Sequence, residues 1–162
     1  MKIDKILPVI YFIPLILIQV LIVPYIELNG IVPDLILILL VFYTLKYGQL
    51  YGMILGFVLG ALTDFSTGSI LGSSMFTKTL SAFVAGYFYN ENLVGTITKS
   101  PLFLAIVFLA SMVNAIAFSL IVNFDISLNI FSLIFDQGIL PSVYTTIIAS
   151  IIMIFTPRRS YI

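Results

Sequence analysis

Residues 101–124, PLFLAIVFLASMVNAIAFSLIVNF, contain no charged side chain. A helix of this length crosses a bilayer, because the hydrocarbon is about 30 Å thick and a helix rises about 1.5 Å per residue. The rest of the chain has the same character: of 162 residues, 61% are hydrophobic and 9% are charged. Soluble domains are roughly half apolar and a quarter charged. The sequence therefore predicts an integral membrane protein and excludes a soluble fold.

The composition excludes several classes of function. The chain has no Cys and no His, which removes disulfides, thiolate nucleophiles and the commonest general base and metal ligand. Seven Lys and Arg balance seven Asp and Glu, so there is no net positive charge to hold nucleic acid. We expect no catalytic residues, no metal, no cofactor and no nucleic-acid partner.

The charged residues divide the chain into six apolar segments. From hydropathy and length we predict an all-α polytopic protein. The expected transmembrane helices are 6–27, 33–46, 47–64, 68–90, 101–124 and 137–156. The second is short and joins the third through a tight turn at Lys46-Tyr47-Gly48. We interpret residues 1–162 as a single integral membrane domain, folded as a compact six-helix bundle.

The charges also predict the orientation of this bundle. With six spans, both termini share one side of the membrane. The basic residues that fall on that side are Lys2, Lys5, Lys46, Lys99, Arg158 and Arg159. The acidic residues on the other side are Glu27, Asp34, Asp64, Asp125 and Asp136. The positive-inside rule then places both termini in the cytoplasm, and a five-span arrangement is rejected because it would put basic termini outside.

Glycines recur every four residues along the predicted third helix. They are Gly48, Gly52, Gly56 and Gly60, and Gly68 and Gly72 repeat the spacing at the start of the fourth helix. Four-residue spacing puts small residues on one face, where another helix can approach closely. Two interpretations stay open: this face packs inside the chain, or it receives a partner's helix.

Lys78 is the main anomaly in the pattern, because it falls near the centre of the predicted helix 68–90. That position is about 15 Å from either helix end, too far for the amine to reach the interface comfortably. No acidic residue is expected at the same depth. Polar side chains expected near it are Ser74, Thr77, Ser81, Gln19 and Asn114. We hypothesise that a polar cluster holds Lys78 in the membrane, or that a partner supplies a carboxylate; the alternative is that the helix boundaries are misplaced.

Two acids on the outer side form a second candidate set. Pro33-Asp34 opens the second helix, where Pro suits the first turn and Asp can cap the positive end of the helix dipole. Asp64 is interpreted as a solvated loop acid or a contact site, with Ser66 or Thr67 capping the fourth helix. Two carboxylates without a third oxygen-rich neighbour are a weak cation site. Residues 125–136 are apolar but too short to span, which favours a segment lying in the interface.

Residues 56–87, GFVLGALTDFSTGSILGSSMFTKTLSAFVAGY, resemble the signature region of the MreD family of bacterial rod shape-determining membrane proteins. The matching positions are Gly56, Gly60, Asp64, Gly68, Gly72 and Ala85-Gly86-Tyr87, together with Pro33-Asp34-Leu35 at the second helix. The resemblance covers about residues 33–87 by motif and the remainder by hydropathy. Lys78 is not part of the pattern that carries it.

This resemblance implies a non-enzymatic scaffold of the cell-wall elongation complex in the bacterial cytoplasmic (inner) membrane. The implied partners are an MreC-like protein and, through it, MreB-like filaments and peptidoglycan synthases. The glycine face and the outer acids are then expected to be contact sites.

Two rival functions follow from other features. The predicted bundle is similar in size and span number to the substrate-binding subunits of energy-coupling-factor vitamin transporters, and Lys78 could hold an anionic molecule. Against this, those subunits dock through small alanines in the first helix, and here residues 6–26 contain no Ala or Gly. An intramembrane enzyme would need a Ser–Lys pair, Ser74 or Ser81 with Lys78. These spacings are ordinary helix geometry, so we predict no enzyme.

Overall fold

The computed structural model describes residues 7–28, 30–97, 100–122 and 134–155. Within these ranges the chain consists of helices and turns, with one isolated bridge between Leu28 and Ile31. The helices are α1 Leu7–Leu21, α2 Leu35–Tyr47, α3 Gln49–Thr67, α4 Ser73–Gly86, α5 Val94–Ile97, α6 Pro101–Val122 and α7 Leu140–Phe155. Short 3-10 turns cover Val23–Ile26 and Glu91–Leu93, and a π-helical turn, Phe135–Ile139, leads directly into α7. The all-α prediction is confirmed.

Three helices in the described part of the chain are long and apolar enough to cross a membrane. They are Gln49–Thr67, Pro101–Val122 and Phe135–Ile154. The other three long helices, α1, α2 and α4, contain 15, 13 and 14 residues, fewer than the roughly 20 that a perpendicular span needs. Three spans are therefore supported by length and composition, and the six-span arrangement stays a prediction.

The fourth helix differs from its predicted bounds. It was expected at 68–90 and occupies Ser73–Gly86, because α3 continues to Thr67 and a turn follows. Gly68 and Gly72 have φ of +66° and +99°, a left-handed conformation that glycine adopts without steric cost. The predicted interfacial segment 125–136 falls largely on residues 123–133, which lie outside the described residues.

The bundle is organised around α2 and α4. α4 packs against α3 on one side and against α6 on another, and α7 packs against α6. α2 is buried along most of its length and contacts α3, α4 and α6. The core contains the side chains of Leu37, Leu40, Val41, Leu59, Ala82, Ile106 and Val107. Large apolar side chains also cover the exterior, as expected where lipid replaces water: Leu50 on α3 is 73% exposed and Ile154 on α7 is 79% exposed.

The glycine face of α3 is filled by other helices of the same chain. A methyl group placed on Gly56 would lie 2.8 Å from the Lys78 carbonyl oxygen, and one on Gly60 would lie 2.6 Å from Met75 Cα. One on Gly52 would overlap the Thr44 side chain of α2. The backbones of α3 and α4 are therefore in close contact, and the face is not an open groove for a partner's helix.

The other glycines of the repeat form turns rather than this packing face. Gly48, with φ +98°, separates α2 from α3, while Gly68 ends α3 and Gly72 precedes α4. A methyl group on Gly68 or Gly72 would meet no atom within 4 Å. The expectation that these two glycines continue the packing face is therefore wrong.

Candidate functional site

Lys78 is paired with Asp34 inside the bundle. Its Nζ lies 2.5 Å from Asp34 Oδ2, and the Lys78 side chain is 4% exposed while that of Asp34 is 23% exposed. Because α4 begins at Ser73, Lys78 lies in the second turn of its helix rather than at the centre. This puts its amine level with the N-terminus of α2. The expectation that no acidic residue shares its depth is wrong, and the cause is the boundary of α4.

Asp34 uses both carboxylate oxygens. Oδ1 accepts a hydrogen bond from the Leu37 N–H at 2.9 Å and so caps α2. Oδ2 accepts from Lys78 and, at 3.4 Å, from Asn114 Nδ2 of α6. The Asp34 N–H donates to Thr145 Oγ1 of α7 at 3.2 Å. One residue therefore connects α2 to α4, α6 and α7, which is more than the simple cap considered from the sequence.

Gln19 fixes the backbone on both sides of Asp34. Its Nε2 donates to the Pro33 carbonyl at 2.8 Å, and its Oε1 accepts from the Leu35 N–H at 2.9 Å. These two bonds connect α1 to the N-terminus of α2. We call Gln19, Asp34, Lys78, Asn114 and Thr145 the Asp34 cluster.

Three of the polar residues singled out around Lys78 in the sequence have now been placed. Gln19 and Asn114 belong to the Asp34 cluster, whereas Ser81 donates instead to the Thr77 carbonyl at 2.8 Å, one turn back in α4. The sequence reasoning missed Thr145. Nothing in a single sequence distinguishes it from the neighbouring Thr146, whose hydroxyl bonds to the Ser142 carbonyl.

Asp64 is buried, with 1% of its surface exposed. Its Oδ1 accepts from Ser69 Oγ at 2.9 Å and the Ser74 N–H at 3.1 Å, and its Oδ2 accepts from the Gly72 N–H at 2.9 Å. The carboxylate thus caps α4 from within α3, where the helix dipole favours a negative charge. We call the segment 64–74 the Asp64 turn.

Two expectations about this segment are wrong. Asp64 is not a solvated loop acid, and Ser66 and Thr67 do not cap α4. Their hydroxyls bond back to the carbonyls of Leu62 and Thr63, one turn earlier in α3. The reason is that α3 extends past Asp64, so the carboxylate reaches forward to α4 while the later hydroxyls stay on their own helix.

A cavity of about 510 Å³ lies between the Asp34 cluster and the Asp64 turn. The residues that contribute to its wall include Lys78, Asn114, Thr63, Thr145 and, from the π-helical turn, Asp136. Among the residues that the structure describes, no group of three or more His, Cys, Asp or Glu side chains could hold a metal ion. The cavity is partly open and its wall is mainly apolar, with carboxylate, amide and hydroxyl groups contributing the polar part.

The hydrogen bonds argue against a Ser–Lys catalytic pair. Such a pair needs a contact between the hydroxyl and the amine, and the Lys78 amine bonds to Asp34 instead. The Ser81 hydroxyl bonds to a backbone carbonyl and not to the amine. Pairing with Asp34 also neutralises the charge that would attract an anionic ligand.

The comparisons with known proteins agree with the sequence motifs. The family model for rod shape-determining protein MreD matches residues 2–158. No curated protein and no solved structure gives a significant match. The matched region includes every described residue, and with it the Asp34 cluster and the Asp64 turn. The chain therefore belongs to the MreD family of rod shape-determining proteins.

Proposed function

We propose that the chain is a non-enzymatic scaffold of the bacterial cell-wall elongation complex in the cytoplasmic membrane. Membership of the MreD family carries a role in rod shape determination, and the match over residues 2–158 is the observation that supports the proposal. The scaffold links an MreC-like protein to MreB-like filaments and to peptidoglycan synthases. These links are the proposed mechanism by which it helps to maintain rod shape.

The outer surface of the helices suits this role. α3 exposes Leu50, Ile54 and Phe57, and α7 exposes Ile147 and Ile151. In a bilayer these side chains contact either lipid or the helices of other proteins, and helices associate there by van der Waals packing. The glycine face is occupied by α4, so the proposed partner helices approach through the exposed faces instead.

We also propose that the chain forms one membrane domain with six spans and both termini in the cytoplasm. Two groups of loops support this alternation. Gly30, Asp34, Ser69 and Asp136 line the same cavity, so three of the loops predicted to lie outside gather at one end of the bundle. The turn at Gly48 lies against Tyr89. The loop between α2 and α3 and the loop that follows α4, which are both predicted to lie inside, are therefore in contact with each other.

The similarity to substrate-binding subunits of energy-coupling-factor transporters stays a prediction, since no solved structure matches the chain. Stabilisation of the purified protein by a particular vitamin would favour that alternative function.

The proposal is tested by co-purification. The tagged chain is expressed with an MreC-type protein from the same organism and isolated in mild detergent, with an unrelated single-span protein as the control. We expect a stoichiometric complex with the MreC-type protein and none with the control. Isolation of the chain alone, together with normal rod shape in cells depleted of it, would contradict the scaffold.

Cross-linking then locates the interface. A photoreactive amino acid replaces Ile54 or Phe57 on α3, and Ile147 or Ile151 on α7, all of which are exposed. We expect cross-links to the MreC-type protein from one of these faces and not from the other. Equal cross-linking from both would indicate random collisions in the membrane rather than a defined interface.

A further inference from the structure

The cavity between the Asp34 cluster and the Asp64 turn combines an apolar wall with one ion pair. Its volume is about 510 Å³, within the range of roughly 300–1,000 Å³ that is typical of ligand pockets. Ile36, Ala115 and Phe118 belong to the apolar part of the wall, and Lys78 and Asp34 also line it. The ion pair therefore indicates which polar group fits beside it.

Lys78 keeps hydrogen-bond donors beyond the one that it directs at Asp34. A lysine ammonium has three N–H groups, and within the described ranges Lys78 Nζ makes one hydrogen bond, to Asp34 Oδ2. The Lys78 side chain is 4% exposed, so bulk water does not surround these donors. Because a buried charge without acceptors is costly, the cavity has to supply an acceptor here, from a ligand or from bound water.

Asp34 offers the complementary group, an acceptor. Its side chain is 23% exposed and lies in the cavity wall. A carboxylate has about four lone-pair sites, and the Leu37 N–H, Lys78 and Asn114 each donate to Asp34. Room for one further donor remains, so the pair presents donors and an acceptor side by side.

The closeness of the two charges disfavours an ionic ligand. Lys78 Nζ lies 2.5 Å from Asp34 Oδ2, so an anion that approaches the ammonium also approaches the carboxylate, and a cation meets the reverse. Attraction to one partner is offset by repulsion from the other. A hydroxyl avoids this repulsion, because it is uncharged and both accepts and donates from a single oxygen.

We propose that this cavity binds an uncharged amphiphilic ligand through a hydroxyl group that bridges Lys78 and Asp34. The hydroxyl oxygen accepts from the Lys78 ammonium, and its proton is donated to the Asp34 carboxylate. The apolar part of the ligand packs on Ile36, Ala115 and Phe118. The hydroxyl belongs either to a neutral lipid, such as a diacylglycerol, or to a water-soluble alcohol. This binding is independent of the scaffold role.

The lipid source is tested in nanodiscs. The protein is reconstituted in phosphatidylcholine that contains equal amounts of dioleoylglycerol and of its acetyl ester, in which the hydroxyl is blocked. Native mass spectrometry after detergent extraction identifies the retained lipid. We expect dioleoylglycerol to be retained about tenfold more than the ester, because the ester has no proton to donate to the Asp34 carboxylate.

The water-soluble source is tested by thermal denaturation in detergent. The probes are cyclohexanol and cyclohexyl methyl ether at equal concentration, which share the ring but differ in the O–H group. A higher Tm with cyclohexanol than with the ether identifies a free alcohol, whereas selective retention of dioleoylglycerol identifies the lipid. Equal retention of both lipids, together with equal Tm values for both probes, would show that the cavity holds only water and would overturn the proposal.

Substitution of the pair locates the binding. Lys78→Met/Asp34→Asn removes both charges that the hydroxyl bridges, and we expect the preference for each hydroxyl-bearing probe over its blocked form to disappear. Lys46→Met is the control, because Lys46 is exposed and lies outside the cavity wall, and it should keep the wild-type preference. A preference that survives in the double variant would show that the hydroxyl binds elsewhere. The comparison of each probe with its blocked form uses the wild-type protein, so it decides the proposal even where the double variant folds poorly.

Discussion

Lys78 Nζ lies 2.5 Å from Asp34 Oδ2, across 44 positions of sequence. The contact joins the second turn of α4 to the N-cap of α2, and Asn114 and Thr145 bring α6 and α7 to the same carboxylate. A charge pair away from water is retained where its partners are fixed by further hydrogen bonds. Here the bonds of Asp34 fix the positions of α2, α4, α6 and α7 relative to one another.

Replacing one member of the Lys78–Asp34 pair should destabilise the protein more than replacing both. Lys78→Met leaves the Asp34 carboxylate without its cation, and Asp34→Asn leaves a buried ammonium. Each should lower the free energy of unfolding by about 3 kcal/mol, because the charge that remains loses its partner at a buried or partly buried position. The double variant Lys78→Met/Asp34→Asn should lose less than either single variant. Unfolding by sodium dodecyl sulfate in mixed micelles measures all three.

Lys46→Met serves as the control for loss of a lysine. Lys46 is exposed, with its Nζ 5.1 Å from the Tyr47 ring centroid, so we expect a change below about 1 kcal/mol. A Lys78→Met protein as stable as this control would show that the ion pair contributes nothing to the fold.

Asp64→Asn should destabilise the connection between α3 and α4. The carboxylate accepts from Ser69, Gly72 and Ser74, and an amide would turn an NH₂ group toward at least one of these donors. Losing a charge-assisted bond and leaving a buried donor unpaired should cost about 2–4 kcal/mol. Ser66→Ala is the control, because the Ser66 hydroxyl is exposed and bonds only within α3. Equal stability of the two variants in a thermal denaturation assay would contradict the capping role of Asp64.

The sequence predicted the class of fold because hydropathy and charge spacing are properties of single segments. Runs such as 101–124 depend on nothing else in the chain, and α6 is found at Pro101–Val122. The glycine spacing predicted close helix packing for the same reason, and one of the two open interpretations, packing inside the chain, is what Gly56 and Gly60 show.

The partner of Lys78 could not be predicted because it depends on where a helix begins. From the sequence, Gly68 and Gly72 continue a four-residue repeat. In the structure, both have a left-handed backbone conformation in the turn between α3 and α4. Moving the start of α4 to Ser73 shifts the depth of Lys78 by more than one turn relative to α2. The roles of Asp64 and Thr145 likewise depend on contacts between helices, which a single sequence does not contain.

Gly60→Ala should weaken the packing of α3 on α4. The added methyl group would lie 2.6 Å from Met75 Cα and Met75 N, and backbone atoms cannot move aside as a flexible side chain can. We expect a loss of about 1–3 kcal/mol in the free energy of unfolding. Gly95→Ala on α5 is the control: its methyl group meets nothing within 4 Å, and alanine favours helix over glycine. A Gly60→Ala variant that is as stable as Gly95→Ala would contradict the close approach of the two backbones.

Gly72→Ala tests a different property of glycine, its conformational freedom. Gly72 has φ +99° and no atom within 4 Å of an added methyl group, so the only cost of substitution is backbone strain. That strain should lower the free energy of unfolding by about 1–2 kcal/mol. Asn tolerates the left-handed region better than Ala, so Gly72→Asn should be the milder change even though its side chain is larger. The reverse order in thermal denaturation would show that space rather than backbone conformation limits this position, and would contradict the left-handed turn at the start of α4.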